Sequence, residues 1–162
     1  MASPSVSLAD PPSRALGGQT RWLPPIVAGG LIAGTLDLTQ AMILFSPRVP
    51  LVIAAGLIGR GALHRGAGTY VLGLLLHYFI ATTAAAIYYG ASRGLRFMTV
   101  YPLVCGLFYG MAVELVMSYV VLPLSALHAR GPYTLKDVLL GLVVHMAVVG
   151  LPIAYSVRRF AK

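Results

Sequence analysis

Residues 30–40 read Gly30-Leu31-Ile32-Ala33-Gly34-Thr35-Leu36-Asp37-Leu38-Thr39-Gln40, inside an apolar run that extends from Trp22 to Phe45. A helix crosses the hydrocarbon of a bilayer in about 20 residues at a rise of about 1.5 Å each. This run is long enough to do so, yet it carries a carboxylate, Asp37. A charge at the centre of hydrocarbon costs roughly 2.5–3.5 kcal/mol on insertion scales. A chain that keeps Asp37 there needs groups to face it.

Three more apolar runs follow, at about 70–89, 98–122 and 138–157. Hydrophobic residues make up 58% of the chain and charged ones 10%, against about 25% charged in soluble domains. Such a composition cannot clothe a soluble surface. The expected fold class is therefore all-α: one domain over residues 22–157, an integral membrane bundle of four transmembrane helices. A fifth apolar stretch, Val49–Ile58, is too short to span. It suits an interfacial or re-entrant helix between the first two spans, with Pro47 and Pro50 near its start. Residues 1–21 are polar and rich in Ser, Pro and Gly, without the apolar core of a cleavable signal. They read as a disordered tail. Residues 158–162 read as a short basic tail.

The net charge is +8, but the twelve Lys and Arg sit singly or in pairs at the ends of the apolar runs. They are membrane-flanking anchors, not a basic stripe with interleaved aromatics, so nucleic acid is excluded as a partner and the lipid bilayer is the expected one. Arg14, Arg21, Arg93, Arg96, Arg158, Arg159 and Lys162 fall on the side of the termini. Arg48, Arg60, Arg65, Arg130 and Lys136 fall on the other. The positive-inside rule then puts both termini in the cytoplasm. Trp22, Tyr88, Tyr89, Tyr101 and Tyr155 would form an aromatic belt at that inner rim. The single cysteine, Cys105, excludes an internal disulfide and a thiolate metal cluster, and reads as a packing residue.

The two halves of the chain share a pattern. Gly30-Leu31-Ile32-Ala33-Gly34 is followed by Asp37, and Gly106-Leu107-Phe108-Tyr109-Gly110 by Glu114. Leu72-Gly73-Leu74-Leu75-Leu76-His77 is matched by Leu140-Gly141-Leu142-Val143-Val144-His145. This would be a 2+2 parallel repeat. Leu and Gly are so common here that chance matching is an equal alternative.

Counting the helical rise puts Asp37, His77, Glu114 and His145 in the same half of the bilayer, about 3–6 Å from its midplane. Residues three or four apart share a helix face. Asp37 shares one with Gly30 and Gly34, His77 with Gly73, Glu114 with Gly106 and Gly110, and His145 with Gly141. Small residues at that spacing mark the faces on which membrane helices pack closely. The four ionisable groups therefore point into the bundle, one per helix.

Three readings of that layer stay open. The first is polar glue that fixes register, each carboxylate being satisfied by an imidazole. The second is a path for protons or a small ion, because desolvation and a neighbouring imidazolium act oppositely on a carboxyl group and poise it for exchange. The third is a metal site, two His and two carboxylates suiting Zn, Mn or Fe. A haem held by His77 and His145 belongs to this last class. The bundle pattern of Glu and His at i, i+3 does not occur. Ser118 and Ser125 lack a nucleophile-elbow context, so nothing points to an enzyme. His64 and His128 fall in connections. Thr35, Thr39 and Gln40 would line a path or bond backbone carbonyls one turn back.

The chain resembles a widespread group of small bacterial four-helix membrane proteins of unestablished activity. The resemblance rests on Gly34-Thr35-Leu36-Asp37, Ile53-Ala54-Ala55-Gly56-Leu57-Ile58-Gly59, Leu76-His77-Tyr78-Phe79-Ile80-Ala81, Val120-Val121-Leu122-Pro123-Leu124-Ser125-Ala126 and His145 through Gly150-Leu151-Pro152-Ile153-Ala154. It covers most of residues 30–159 and implies a bacterial inner membrane. Asp37, His77 and His145 match the group's pattern; Glu114 departs from it. The leading expectation is a small permease- or channel-like protein, working as a homo-oligomer because four helices leave little lumen. The alternatives are a metal- or haem-binding redox protein, or a non-catalytic structural or assembly protein.

Overall fold

The computed structural model describes residues 22–131 and 134–160. The tail expected over residues 1–21, Pro132 and the final two residues lie outside them. The described residues are helical, with no strand among them. Helix α1 spans Leu23–Leu44, α2 Val49–Ile58, α3 Ala67–Gly94, the single turn α4 Phe97–Val100, α5 Pro102–Leu124 and α6 Leu135–Phe160. A 3-10 turn, Arg60–His64, links α2 to α3. Four of these helices, α1, α3, α5 and α6, are long and apolar enough to cross a membrane.

Helix boundaries follow local chemistry more closely than hydropathy does. Prolines stand in the first turns of α1, α2 and α5, where their missing N–H has no helical partner to lose. Helix α2 stops at Gly59, whose φ of 86° is open only to glycine without strain. Helix α3 runs on past the apolar stretch to Gly94, since Gly90–Gly94 is polar but not helix-breaking. Helix α6 begins at Leu135, before its apolar run, because Thr134 and Asp137 form a capping box. The Thr134 hydroxyl accepts from the Asp137 N–H at 3.2 Å, and the Asp137 carboxylate accepts from the Thr134 N–H at 3.2 Å.

Two helices change pitch. Met117–Val121 in α5 and His145–Gly150 in α6 are wound as π-helix. Each segment ends just before a proline, Pro123 and Pro152. A helical proline offers no N–H, and its ring presses on the carbonyl four residues back. A widened turn upstream moves that carbonyl aside. Helices α1 and α3 have no interior proline and stay regular.

Helix α1 lies between α3 and α6, and α6 lies between α1 and α5. Helices α3 and α5 barely meet through their backbones. At one end the gap between them is closed by Tyr109, whose hydroxyl donates to the Ala84 carbonyl at 2.6 Å. Its ring meets Tyr88 edge-on, with centroids 5.0 Å apart. Tyr88 is fully buried and donates to the Met98 carbonyl at 3.1 Å. It is therefore a core residue, and of the expected aromatic rim only Trp22, Tyr101 and Tyr155 are largely exposed. Near the other end the gap is covered by α2, which packs along α3. The Ala126 N–H holds it by donating to the Gly56 carbonyl at 2.8 Å.

Alanine is the commonest residue of the core. Ala33, Ala85, Ile153, Ala154 and Val157 are completely buried with Tyr88, and Cys105 packs against them. Glycines set the helix spacing. A Cβ on Gly30 would meet Thr82, one on Gly73 the Pro50 carbonyl, and one on Gly106 both Ala154 and the Gly150 carbonyl. A Cβ on Gly110 would strike the backbone of His145 and Met146. Large apolar side chains such as Leu31, Phe79, Phe108 and Val143 point outward.

These contacts make a paired prediction. Gly110→Ala should lower stability by about 1–3 kcal/mol, because fixed backbone on α6 leaves no room. Gly90→Ala, with nothing near its Cβ position, should raise it by roughly 0.5–1 kcal/mol through helix propensity. Thermal unfolding in detergent followed by circular dichroism reads both.

Candidate functional site

Asp37, Glu114 and His145 stand in one line across three helices. His145, the first residue of the π segment in α6, lies in the middle. Its Nδ1 is 3.0 Å from Glu114 Oε2 on α5, and its Nε2 is 3.9 Å from Asp37 Oδ1 on α1. Both have ion-pair length; the hydrogen bond of the ring goes to a backbone carbonyl. The side chains of Asp37, His145 and Glu114 are 19%, 20% and 14% exposed, so water screens the line only partly.

Partners assign the proton on the ring. His145 Nδ1 also lies 3.0 Å from the carbonyl of Gly141. A carbonyl accepts only, so Nδ1 carries hydrogen and donates. Glu114 Oε2 stands 3.0 Å from that nitrogen, and its Oε1 accepts from the Ser118 hydroxyl at 2.8 Å. Its carboxylate lies in the space that a side chain at Gly141 would fill. Glu114 is thus held by α5 itself and by α6.

Asp37 is held less firmly. Among the described residues its carboxylate accepts no hydrogen bond, and it faces His145 alone. It lines a cavity of about 310 Å³, together with Gly34 of α1, Ile53 and Gly56 of α2, His77 and Ala81 of α3, Met117 of α5 and His145 of α6. The walls are almost wholly aliphatic. Glu114 does not line the cavity; it lies behind His145.

His77 shares the cavity but not the line. Its Nε2 donates to the Gly34 carbonyl at 2.8 Å, one turn from Asp37. The four ionisable groups singled out in the sequence thus divide into a joined set of three and a fourth that ties α3 to α1. Gly34 lies against Ala81 and Tyr78. Thr35 pairs with the Tyr78 hydroxyl at 3.0 Å, across to α3 and not with its own backbone. His64 and His128 are exposed in the connections.

Metal ligation finds little support in this arrangement. Among the described residues no group of three or more His, Cys, Asp or Glu is placed to hold a metal ion. His77 Nε2 and His145 Nδ1, the two nitrogens nearest protein acceptors, are already engaged.

Ser118 and Gly150 were not visible as parts of the site from residue types alone. Ser118 follows Glu114 by four residues, the spacing that places it beside the carboxylate. Gly150 precedes Ala154 by four, and its Cβ position coincides with the backbone of Gly106 and Gly110. No protein-family model, curated protein or solved structure matches the chain.

The contact between Gly141 and Glu114 has a direct test. Gly141→Ala alone should cost about 1–3 kcal/mol, because its Cβ displaces the carboxylate. In a Glu114→Ala background the same change should be close to neutral. The coupling between the two sites, read from unfolding midpoints of the four proteins, should reach about 1 kcal/mol or more.

Proposed function

We propose that this chain is a multi-pass protein of a bacterial inner membrane, with both termini cytoplasmic, that couples the movement of protons to that of a small solute. The observation that carries this reading is the line Asp37–His145–Glu114, open at its Asp37 end to an aliphatic cavity of about 310 Å³. An imidazole between two carboxylates can take a proton on one nitrogen and release it from the other. Here Nε2 of His145 faces the cavity carboxylate and Nδ1 faces the enclosed one. A proton accepted at Asp37 would pass to Nε2, and the proton on Nδ1 to Glu114 Oε2. The π turn at His145 suits such a role, because π segments concentrate at working sites in helices. Four helices enclose little lumen, so the working unit is read as a homo-oligomer. The matching glycine–acid and Leu-Gly-Leu patterns of the two halves fit an origin by duplication, after which His77 and His145 took unlike partners.

Glu114 favours a second, structural reading for its own end of the line. Set 3.0 Å from His145 Nδ1, bonded to Ser118 and lying against Gly141, it clamps α5 to α6 whatever else it does.

Liposomes holding the purified protein and a pH-sensitive dye separate the two. With the membrane potential clamped and small ions or amines supplied on one side, an imposed pH gradient should decay faster than in empty liposomes given the same solutes. Asp37→Asn and His145→Gln should each slow that decay by about tenfold or more, a typical loss when a proton-transfer group is removed. Equal decay in parent, variants and empty liposomes would leave only the clamp.

A further inference from the structure

The polar side chains lining the cavity are Asp37, His77, Ser125 and His145. Their hydrogens are already directed elsewhere. The Ser125 hydroxyl donates to the Leu122 carbonyl at 2.7 Å, while its oxygen accepts from the Leu127 N–H at 3.3 Å. His77 Nε2–H is held by the Gly34 carbonyl and His145 Nδ1–H by the Gly141 carbonyl, with Glu114 beside it. His145 Nε2 faces Asp37. What the lining offers a visitor is acceptors: the Asp37 carboxylate, and Nδ1 of a neutral His77. The line also holds two carboxylates against one imidazole, so it lacks a positive charge when both acids are ionised. An anion would meet Asp37 with no cation to offset it. A neutral molecule whose polar group only accepts would find no donor and would leave a desolvated carboxylate unpaired.

We infer that the cavity between α2, α3 and α5 binds a small apolar organic cation of the primary or secondary ammonium class, its N–H groups donating to Asp37 and its hydrocarbon body lying against the aliphatic walls. This rests on the proposed carrier reading and names its solute class. The walls are aliphatic, which suits an alkyl or cycloalkyl body. The volume, about 310 Å³, lies at the small end of ligand sites. Charge-assisted N–H···O bonds against aliphatic walls supply the selectivity. The ammonium replaces a proton as the positive charge beside Asp37, so amine entry and proton release are linked at one carboxylate.

The test uses three probes with a common ring: cyclohexylammonium, cyclohexanol and cyclohexanecarboxylate. Each is titrated calorimetrically into the full-length protein in detergent, with protein-free micelles as the blank. The parent should bind the ammonium at least about tenfold more tightly than the alcohol, a difference in the range of one charge-assisted bond. It should bind the carboxylate more weakly than either. Asp37→Asn should remove the preference for the cation while leaving the alcohol unchanged. Val52→Trp, which fills the cavity from its rim and leaves Asp37 in place, should weaken ammonium and alcohol alike. Should Asp37→Asn fail to fold by circular dichroism, the probe series on the parent and on Val52→Trp decides. Equal binding of the three probes, tightest binding of the carboxylate, a cation preference that survives Asp37→Asn, or ammonium binding undiminished in Val52→Trp overturns the inference. Cation binding without proton flux in liposomes supports the inference and contradicts the carrier. Proton flux in a protein that binds all three probes alike contradicts the inference and leaves the carrier standing.

Discussion

An imidazole held between two carboxylates is the constraint around which this bundle is arranged. Asp37 and Glu114 sit on α1 and α5, and α6 brings His145 between them. For those groups to meet, α6 must lie close to both helices. It does so because Gly110 and Gly150 remove the side chains that would hold α5 and α6 apart. Gly141 leaves room for the Glu114 carboxylate itself. Close packing and polar pairing are therefore one requirement. Small residues allow the approach, and the approach gives each enclosed charge a partner, which an apolar setting demands.

The prolines add a second layer to that requirement. Pro152 widens the turn that starts at His145, and Pro123 widens the turn that starts three residues after Glu114. A residue at the start of a π turn is displaced in angle from where regular helix would hold it. The two prolines therefore help set the direction in which the pair meets. Helix α2 completes the site from outside. It covers the gap between α3 and α5, and Gly73 lets its Pro50 carbonyl reach the α3 backbone. The cavity follows from this architecture: α3 and α5 are each drawn to a central helix and not to one another.

Much of this is legible in the chain itself. Four runs of apolar residues of spanning length give four helices because length and hydropathy act over a whole segment, where no single residue decides. Asp37, His77, Glu114 and His145 stand out because ionisable groups in such runs are costly, and the glycines three to eight residues away mark the faces that carry them. The pairing among the four is another matter. Which acid meets which imidazole depends on helix order around the bundle and on the pitch change at Pro152, and neither has a local signature. His77 is the clear case. Its position matches His145 in the repeated Leu-Gly-Leu pattern, yet it bonds the Gly34 carbonyl. Tyr88 is another: its position in the chain suits an interfacial rim, whereas a carbonyl partner at Met98 and contact with Tyr109 bury it completely. The cavity has no local signature at all, being the space between elements distant in sequence.

Nitrogen-15 magnetic resonance of the histidine rings, with the protein in lipid bilayers, reads the central contact directly. Loss of one resonance pair in His145→Gln assigns the ring. Nδ1 of His145 should then appear as a protonated, hydrogen-bonded nitrogen. Glu114→Gln should shift Nδ1 and Asp37→Asn should shift Nε2, while both leave His77 in place. A His145 ring whose two nitrogens respond to neither substitution would show that it does not stand between the two carboxylates.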